Sequence, residues 1–330
     1  MSSFLIPLSW GGISYDWDSW HTLVPLCVGG VGLVVFGFYE TYYASDPIVP
    51  PVIFQNRTAI ASFIGSVLQG LILWCSLYYL PLYYEAVKEY SPIISGVALF
   101  PETFTVAPSG MIAGVLITAT GSYRWAIWIG WALSTAGLGL MCLIKVNTSM
   151  LGWIFLNIVP GLGLGILFPS LGYAVQASAD PENLAIAVAM FSFFRALGQA
   201  IGVAVGGVVF QNRMFTNISR YSALAPMADA YSRDAAGLVQ VIKVMADGAD
   251  KSNLKEAYTD SLRTVWMVCC AVSGIAMVIS LLTEHYDLDR ALETNQGLLD
   301  SYDDESINSL KVFEMQTERR IVAEPRPWAW

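Results

Sequence analysis

Seven long apolar runs constrain this chain more than any other feature. They cover residues 22–39, 59–84, 92–118, 125–144, 150–175, 184–210 and 264–283, and only Glu102 and Arg195 carry charge inside them. About 20 apolar helical residues cross a hydrocarbon core roughly 30 Å thick, and every run is near or above that length. The pattern predicts an all-α integral membrane fold. Ionisable groups at membrane depth cost at least ~2.5–3.5 kcal/mol each on insertion scales, so the chemistry is to be sought at Glu102 and Arg195.

Composition agrees. The chain is 13% charged with a mean hydropathy of +0.54, against about 25% charged residues in soluble domains. A soluble fold of this size would place polar residues along the outward face of most helices. The net charge of −9 excludes a nucleic-acid partner, and the last 47 residues hold 11 acids and 5 bases of it. All five cysteines lie inside the runs, with no CxxC or Cys/His zinc spacing, so neither metal nor other cofactor is expected. His21 and His285 flank the first and last spans, where polar residues meet headgroups.

Residues 1–21 are expected to form an interfacial loop, with Trp10, Trp17, Trp20 and Tyr15 suited to the headgroup zone. A first span, 22–42, precedes Pro47, Pro50 and Pro51, which stop any helix. Six further spans fill 59–283, interrupted by a polar loop at 211–263 whose stretch 235–246 is amphipathic and expected to be a surface helix. The acidic tail, 284–330, is expected to be disordered. Short links hold Arg57 and Arg124 on one side and Lys88 and Lys145 on the other, so charge leaves the orientation open. Glycan mapping at the sequons Asn56, Asn147 and Asn217 is expected to settle it.

Gly198, Gly202 and Gly206 recur every four residues in 184–210, a small-residue stripe that lets another backbone approach closely. Arg195 and Gln199 share that face, and two readings of Arg195 stand: it pins packing, or it lines a substrate or proton pathway. Glu102 lies about ten residues into its run, near mid-depth, with Ser95, Thr105 and Ser109 on its helical face and Pro101 and Pro108 expected to kink the rod. It is either a proton carrier whose neighbour changes between states or half of a fixed ion pair with Arg195. Gln69 is also at mid-depth. The tyrosines of LYYLPLYY (77–84) are expected at the membrane interface, with an aromatic wall as the alternative. The glycines of PGLGLGILFP (160–169) predict a pliable or tightly packed helix.

Several stretches together carry a resemblance: WGGISYDWDSWHTLVPL, FQNRTAIASF, LYYLPLYYEAV, YSPIISGVALFPET, FFRALGQAIGVAVGG and HYDLDRALETNQGL. The chain resembles the fungal major facilitator superfamily, and most of all its fourteen-span drug:proton antiporter branch. The resemblance implies that 22–42 is a linker helix and 59–283 the C-terminal six-helix bundle, with Gln69, Glu102 and Arg195 on helices facing a central cavity. The family's loop signature is similar to GVLITATGSYR: Gly114, Leu116, Gly121 and Arg124 match, while Thr118 stands at the aspartate position and breaks the charge relay. It also implies that this loop is cytoplasmic and that 211–263 lies outside. The N-terminal half expected of the family has no counterpart, so a missing N-terminal bundle is an implied partner, either preceding Met1 or supplied by a separate polypeptide.

The expected activity is export of amphipathic small molecules, such as drugs, toxins or secondary metabolites, in exchange for protons. The membrane is the plasma membrane or the vacuolar one. A truncated or split chain that does not transport alone is the alternative. A retinal protein is excluded because no run contains lysine, and no His cluster, Ser/His pair or metal-ligand group at membrane depth points to an enzyme.

Overall fold

The computed structural model describes residues 6–7, 15, 18–43 and 51–286. The expected disordered tail, and most of the expected interfacial loop at 1–21, lie outside the described residues. Those that are described are helical or connecting: α1 (Trp20–Tyr42), α2 (Arg57–Ala86), α3 (Pro92–Ala98), α4 (Phe100–Thr120), α5 (Arg124–Met141), α6 (Met150–Ser178), α7 (Leu184–Ile218), α8 (Ala228–Arg233), α9 (Ala235–Val244) and α10 (Ala249–Ser280), with short 3-10 turns between some of them. No strand occurs among the described residues.

Local chemistry sets the ends. Asn56, Ser91 and Ser149 begin α2, α3 and α6 with side-chain oxygens that accept from Thr58, Ile94 and Gly152 backbone N–H groups. Gly121 ends α4 with φ 64, a left-handed conformation that glycine adopts without strain.

Six stretches are long and apolar enough to cross a membrane: Trp20–Glu40, Arg57–Ala86, Pro92–Thr120, Met150–Ser178, Pro181–Ile218 and Ala249–Ser280. The seventh expected span, 125–144, forms the 18-residue α5. At 1.5 Å per residue that is only about 27 Å, and Arg124 with three tryptophans lowers its hydropathy. The run 92–118 is likewise not one rod. Pro101 has no N–H to return to the Val97 carbonyl, and the chain forms α3 and α4 around Leu99, which keeps helical dihedrals (φ −78, ψ −17). Pro108 stays inside α4. The loop expected at 211–263 is shorter than its polarity suggests, because α7 runs on to Ile218 and α10 starts at Ala249. Its amphipathic stretch is α9, which buries Leu238, Val239 and Ile242.

Glycine brings the backbones together. A Cβ on Gly198 would collide with the Val67 carbonyl oxygen, one on Gly202 with that of Leu71, and one on Gly70 with that of Arg195, so α2 and α7 touch main chain to main chain. Glycines of α6 alternate between partners: Gly161 and Gly165 face Glu102–Thr105 and Val106–Ser109 of α4, and Gly163 faces Gly130 and Ser134 of α5. The 160–169 segment is therefore a packed rod shared by two neighbours.

The tyrosines of 77–84 differ in burial. Tyr79, Tyr83 and Tyr84 are buried while Tyr78 is exposed. Spacing of four and five residues turns the three inward, and each hydroxyl is satisfied inside: Tyr79 donates to the Val203 carbonyl (3.2 Å), Tyr83 to that of Lys145 (2.8 Å), and Tyr84 accepts from Asn157. Asn217 is buried too and donates to Ser261 Oγ at 3.0 Å.

At one membrane face, residues 88 and 89 tie several connections together. Lys88 Nζ donates to the Val146 and Thr148 carbonyls, both at 2.7 Å. Glu89 is the positive-φ non-glycine residue among those described (φ 54), and its carboxylate pairs with Lys251 (3.1 Å) and Lys255. Lys251 also pairs with Asp247 at 2.9 Å, and Lys243 with Glu85 at 3.2 Å, which fastens α9 and the start of α10 to the end of α2.

Two predictions follow from this packing. Gly202→Ala is expected to destabilise the protein by about 1–3 kcal/mol through overpacking. Gly274→Ala, where a Cβ meets nothing within 4 Å, should leave the melting temperature unchanged or raised; equal loss at both sites would refute the close-approach argument. The second concerns acid. Lys255 holds the Glu89 carboxyl below its ordinary value, burial opposes this, and Lys251 lowers it further. A depressed folded-state value means the pairs stabilise above the ordinary carboxylate pKa of about 4.3, and that contribution disappears as pH falls through the depressed value. The Glu89 side chain is 35% exposed, so water screens its pairs and their contribution is small. Protection factors of amides in 235–255, with rates corrected for the pH dependence of intrinsic exchange, should therefore fall modestly below about pH 4, and Glu89→Gln should show lower protection at pH 7 with a flatter acid response.

Candidate functional site

Two polar nodes lie along α6. The first joins α2, α6 and α7. Arg195 Nε donates to Gln69 Oε1 at 3.0 Å, Gln69 Nε2 donates to the Leu164 carbonyl at 3.2 Å, and the guanidinium lies 4.3 Å over the Phe168 ring. Gln69 is buried and Arg195 half-buried. The glycine contacts described above hold α7 against α2, which brings the arginine within reach of the amide. Its cation is distributed over a hydrogen bond and an aromatic face, both good partners for guanidinium.

Gln199 lies one turn further along α7. Its backbone nitrogen sits where a Cβ on Gly70 would point.

The second node holds Glu102. Its side chain is fully buried, and neither carboxylate oxygen has a hydrogen-bond partner. The Glu102–Arg195 ion pair weighed from sequence is absent from the structure. Gly161 and Phe168, which mark the two nodes on α6, are seven residues apart, about 10 Å of helical rise. Tyr84, near the end of α2, accepts a hydrogen bond from Asn157 Nδ2, and its ring sits 4.8 Å from that of Trp153. Asn157 Oδ1 and Trp153 Nε1 are also buried without partners.

Neighbouring polar groups do not reach the acid. Thr105 and Ser109 return their hydroxyls to carbonyls of α4, at Glu102 (2.7 Å) and Val106 (3.1 Å). Ser95 donates to the Pro81 carbonyl at 3.0 Å, which ties α3 to α2. Asn157, Trp153 and Phe168 were not singled out from sequence, and Tyr84 was only one of the tyrosines of 77–84. The signal was present for Asn157, the one amide in the apolar run 150–175.

The loop-motif residues lie at the opposite membrane face. Gly121 caps α4, Gly114 approaches Pro169 of α6, and Leu116 is exposed. Arg124 starts α5 with its guanidinium 4.9 Å over the Trp128 ring. Thr118, at the aspartate position, donates back to the Gly114 (3.1 Å) and Val115 (2.8 Å) carbonyls of its own helix. It can hold no charge there. No cluster of three or more His, Cys, Asp or Glu side chains suited to a metal occurs among the described residues.

This architecture is that of an integral multi-pass membrane protein. Residues 1–203 match the family model described as the Major Facilitator Superfamily, and the chain belongs to that superfamily. It is 51% identical over 296 residues to MFS transporter L2 of a Phoma species, covering 90% of this chain and 50% of that protein. It is 33% identical over 304 residues both to the MFS-type efflux pump LUC4 of a Fusarium species and to the acurin A biosynthesis cluster MFS-type transporter of Aspergillus aculeatus, in each case covering 90% of this chain and 54% of the relative. The chain thus spans about half the length of the curated relatives it matches.

The arginine node yields a stability prediction. Gln69→Leu removes the acceptor for Arg195 and leaves a half-buried cation short of a partner. A loss of ~1–3 kcal/mol is expected, read as a lower melting temperature in detergent. Adding Arg195→Leu should recover part of it; strictly additive losses would show that the two side chains are not coupled.

Proposed function

We propose that the chain is the C-terminal part of a secondary transporter of the fourteen-span branch, exporting amphipathic small molecules in exchange for protons across the plasma membrane. In this reading 22–42 is the linker helix and 59–283 the C-terminal bundle, and a second bundle supplies the opposite wall of the cavity. Transporters of this kind rock one bundle against the other around a midplane site. The names of the relatives support the reading, since one is an efflux pump and another belongs to a biosynthesis cluster.

Glu102 carries the proton in this proposal, and its geometry is the supporting observation. It is buried, acidic and without donors or cations on either oxygen. Proton gain or loss there breaks no existing hydrogen bond, so the charge state can follow access to water or the arrival of a neighbour. Arg195, already fixed by Gln69, attracts the anionic end of a substrate or biases the proton site through space. Gln69 and Gln199 offer hydrogen bonds in an otherwise apolar cavity.

The test is Glu102→Gln in the chain co-produced with the N-terminal half of the Phoma relative. In membrane vesicles with an imposed pH gradient, export of the uncharged amphipathic dye Nile red should fall at least about tenfold while the amount and melting temperature of the protein hold. Undiminished export with the same pH dependence would exclude Glu102 as the carrier.

A further inference from the structure

Thr120, Ser122, Arg124, Trp125, Trp128 and His285 line an open cavity of about 360 Å³ where α4 gives way to α5. The α4–α5 turn and the start of α5 supply the first five, and the strap that leaves α10 supplies His285. That strap is pinned on both sides of the histidine. The Tyr123 hydroxyl donates to the Glu284 carbonyl at 2.7 Å, and the Glu284 N–H donates to Thr58 Oγ1 at 2.9 Å. The Tyr286 N–H donates to the Tyr123 hydroxyl at 3.2 Å. Trp125 and Trp128 suit a place at the membrane boundary, where amphipathic rings gather at headgroup level.

The lining holds a cation and no acid. Arg124 is half-buried and forms no salt bridge among the described residues. Its Nε is buried without a hydrogen-bond partner, and its guanidinium is steadied 4.9 Å over the Trp128 ring. Glu284, the acid next along the strap, lies outside the lining, and its carboxylate accepts from the Tyr286 hydroxyl at 3.4 Å. Three other polar groups of the lining are committed to the fold. Trp128 Nε1 donates to the Ser280 carbonyl, Trp125 Nε1 to Thr120 Oγ1, and the Thr120 hydroxyl to the Leu116 carbonyl. The Arg124 fork, the Ser122 hydroxyl and the His285 ring have no hydrogen-bond partner among the described residues. A half-buried cation with spare donors around it is completed by an anion with several oxygens, and a planar guanidinium matches a phosphate two bonds at a time.

We propose that this cavity binds the phosphate of an anionic glycerophospholipid headgroup. Arg124 takes two phosphate oxygens, and Ser122 and His285 donate to the others. The source is lipid because the cavity opens at the end of a membrane span, where headgroup phosphates are the abundant oxyanions. The headgroup carries no ammonium, since the lining offers no acid to receive one. A lipid held in this way ties the α4–α5 turn to the strap after α10. The proposal is independent of the transporter reading.

Native mass spectrometry tests the assignment. The 330-residue chain in detergent is titrated with dioleoyl phosphatidic acid, dioleoylphosphatidylcholine and dioleoylglycerol, which share their acyl chains. The first phosphatidic acid adduct should form at least about tenfold more tightly than either of the others. Arg124→Gln should weaken it by about 5- to 50-fold, the range for one hydrogen-bonded charge that is partly screened by water. His285→Ala should weaken it by about 2- to 5-fold. Arg57→Gln removes an exposed cation outside the lining and should leave the adduct unchanged. Equal binding of dioleoylglycerol would identify a surface that holds acyl chains. Equal losses from Arg57→Gln and Arg124→Gln would identify diffuse surface charge. Tightest binding of phosphatidylcholine would show that the headgroup cation is accepted, and displacement of the lipid by inorganic phosphate at equal concentration would identify a soluble ligand. Each of these results overturns the proposal, and the lipid and phosphate series on the unaltered chain needs no variant to fold.

Discussion

Close approach of helix backbones is the constraint on which the rest depends. In lipid no hydrophobic force drives helix against helix, since acyl chains are as apolar as the side chains they would leave; association rests on van der Waals contact and on polar groups finding partners. Small residues make that contact possible here. Gly70, Gly198 and Gly202 join α2 to α7, while Gly161, Gly163 and Gly165 let α6 serve α4 and α5 at once. The consequence reaches the candidate site directly. Gly161 lies against the Glu102 backbone and the Thr105 hydroxyl, so the contact that fixes α4 also encloses the acid.

The same packing treats the two intramembrane charges differently. Arg195 emerges beside Gln69 and over Phe168, where its fork has both an acceptor and a ring. Glu102 emerges at the other node along α6, where Ser95 is committed to Pro81, Thr105 and Ser109 to their own helix, and the Asn157 amide nitrogen to Tyr84. One charge is built into the fold and the other is left open. An unpartnered buried group carries a free-energy penalty of ~1–3 kcal/mol or more, and the structure keeps that penalty at an acid, which uptake of a proton lessens.

What was legible in the chain was what depends on local order. Apolar runs mark spans because length and hydropathy are properties of one segment. The four-residue recurrence of Gly198, Gly202 and Gly206 marks a packing face, and Gly121 marks a helix end through its own φ. What was not legible depends on partners distant in sequence. Tyr79, Tyr83 and Tyr84 match an interfacial composition, and only the positions of Val203, Lys145 and Asn157 decide that their hydroxyls are satisfied inside. The ion pair between Glu102 and Arg195 was plausible by charge alone, and inter-helix register set it aside. Helix ends beyond the apolar runs, at 211–218 and 249–263, escaped a hydropathy argument because polar residues continue a helix readily once it leaves the hydrocarbon.

The α3–α4 elbow shows how a backbone defect and the site are connected. Pro101 withdraws one hydrogen bond from the helix, and such gaps at membrane depth are tolerated where the freed groups border protein or a cavity. Here the gap, at Pro101, borders an open apolar groove between the α3–α4 elbow and Met150, Trp153 and Ile154 of α6, one residue before Glu102. Below it, α3 is only seven residues long and is anchored through Ser95 to α2 and through Lys88 and Glu89 to the opposite links. Above it, α4 is held rigidly by the glycines of α6. The break therefore separates a short segment with few buried side chains (Ser95 and Ala98 of α3) from one packed closely on α6, and the acid stands directly after it.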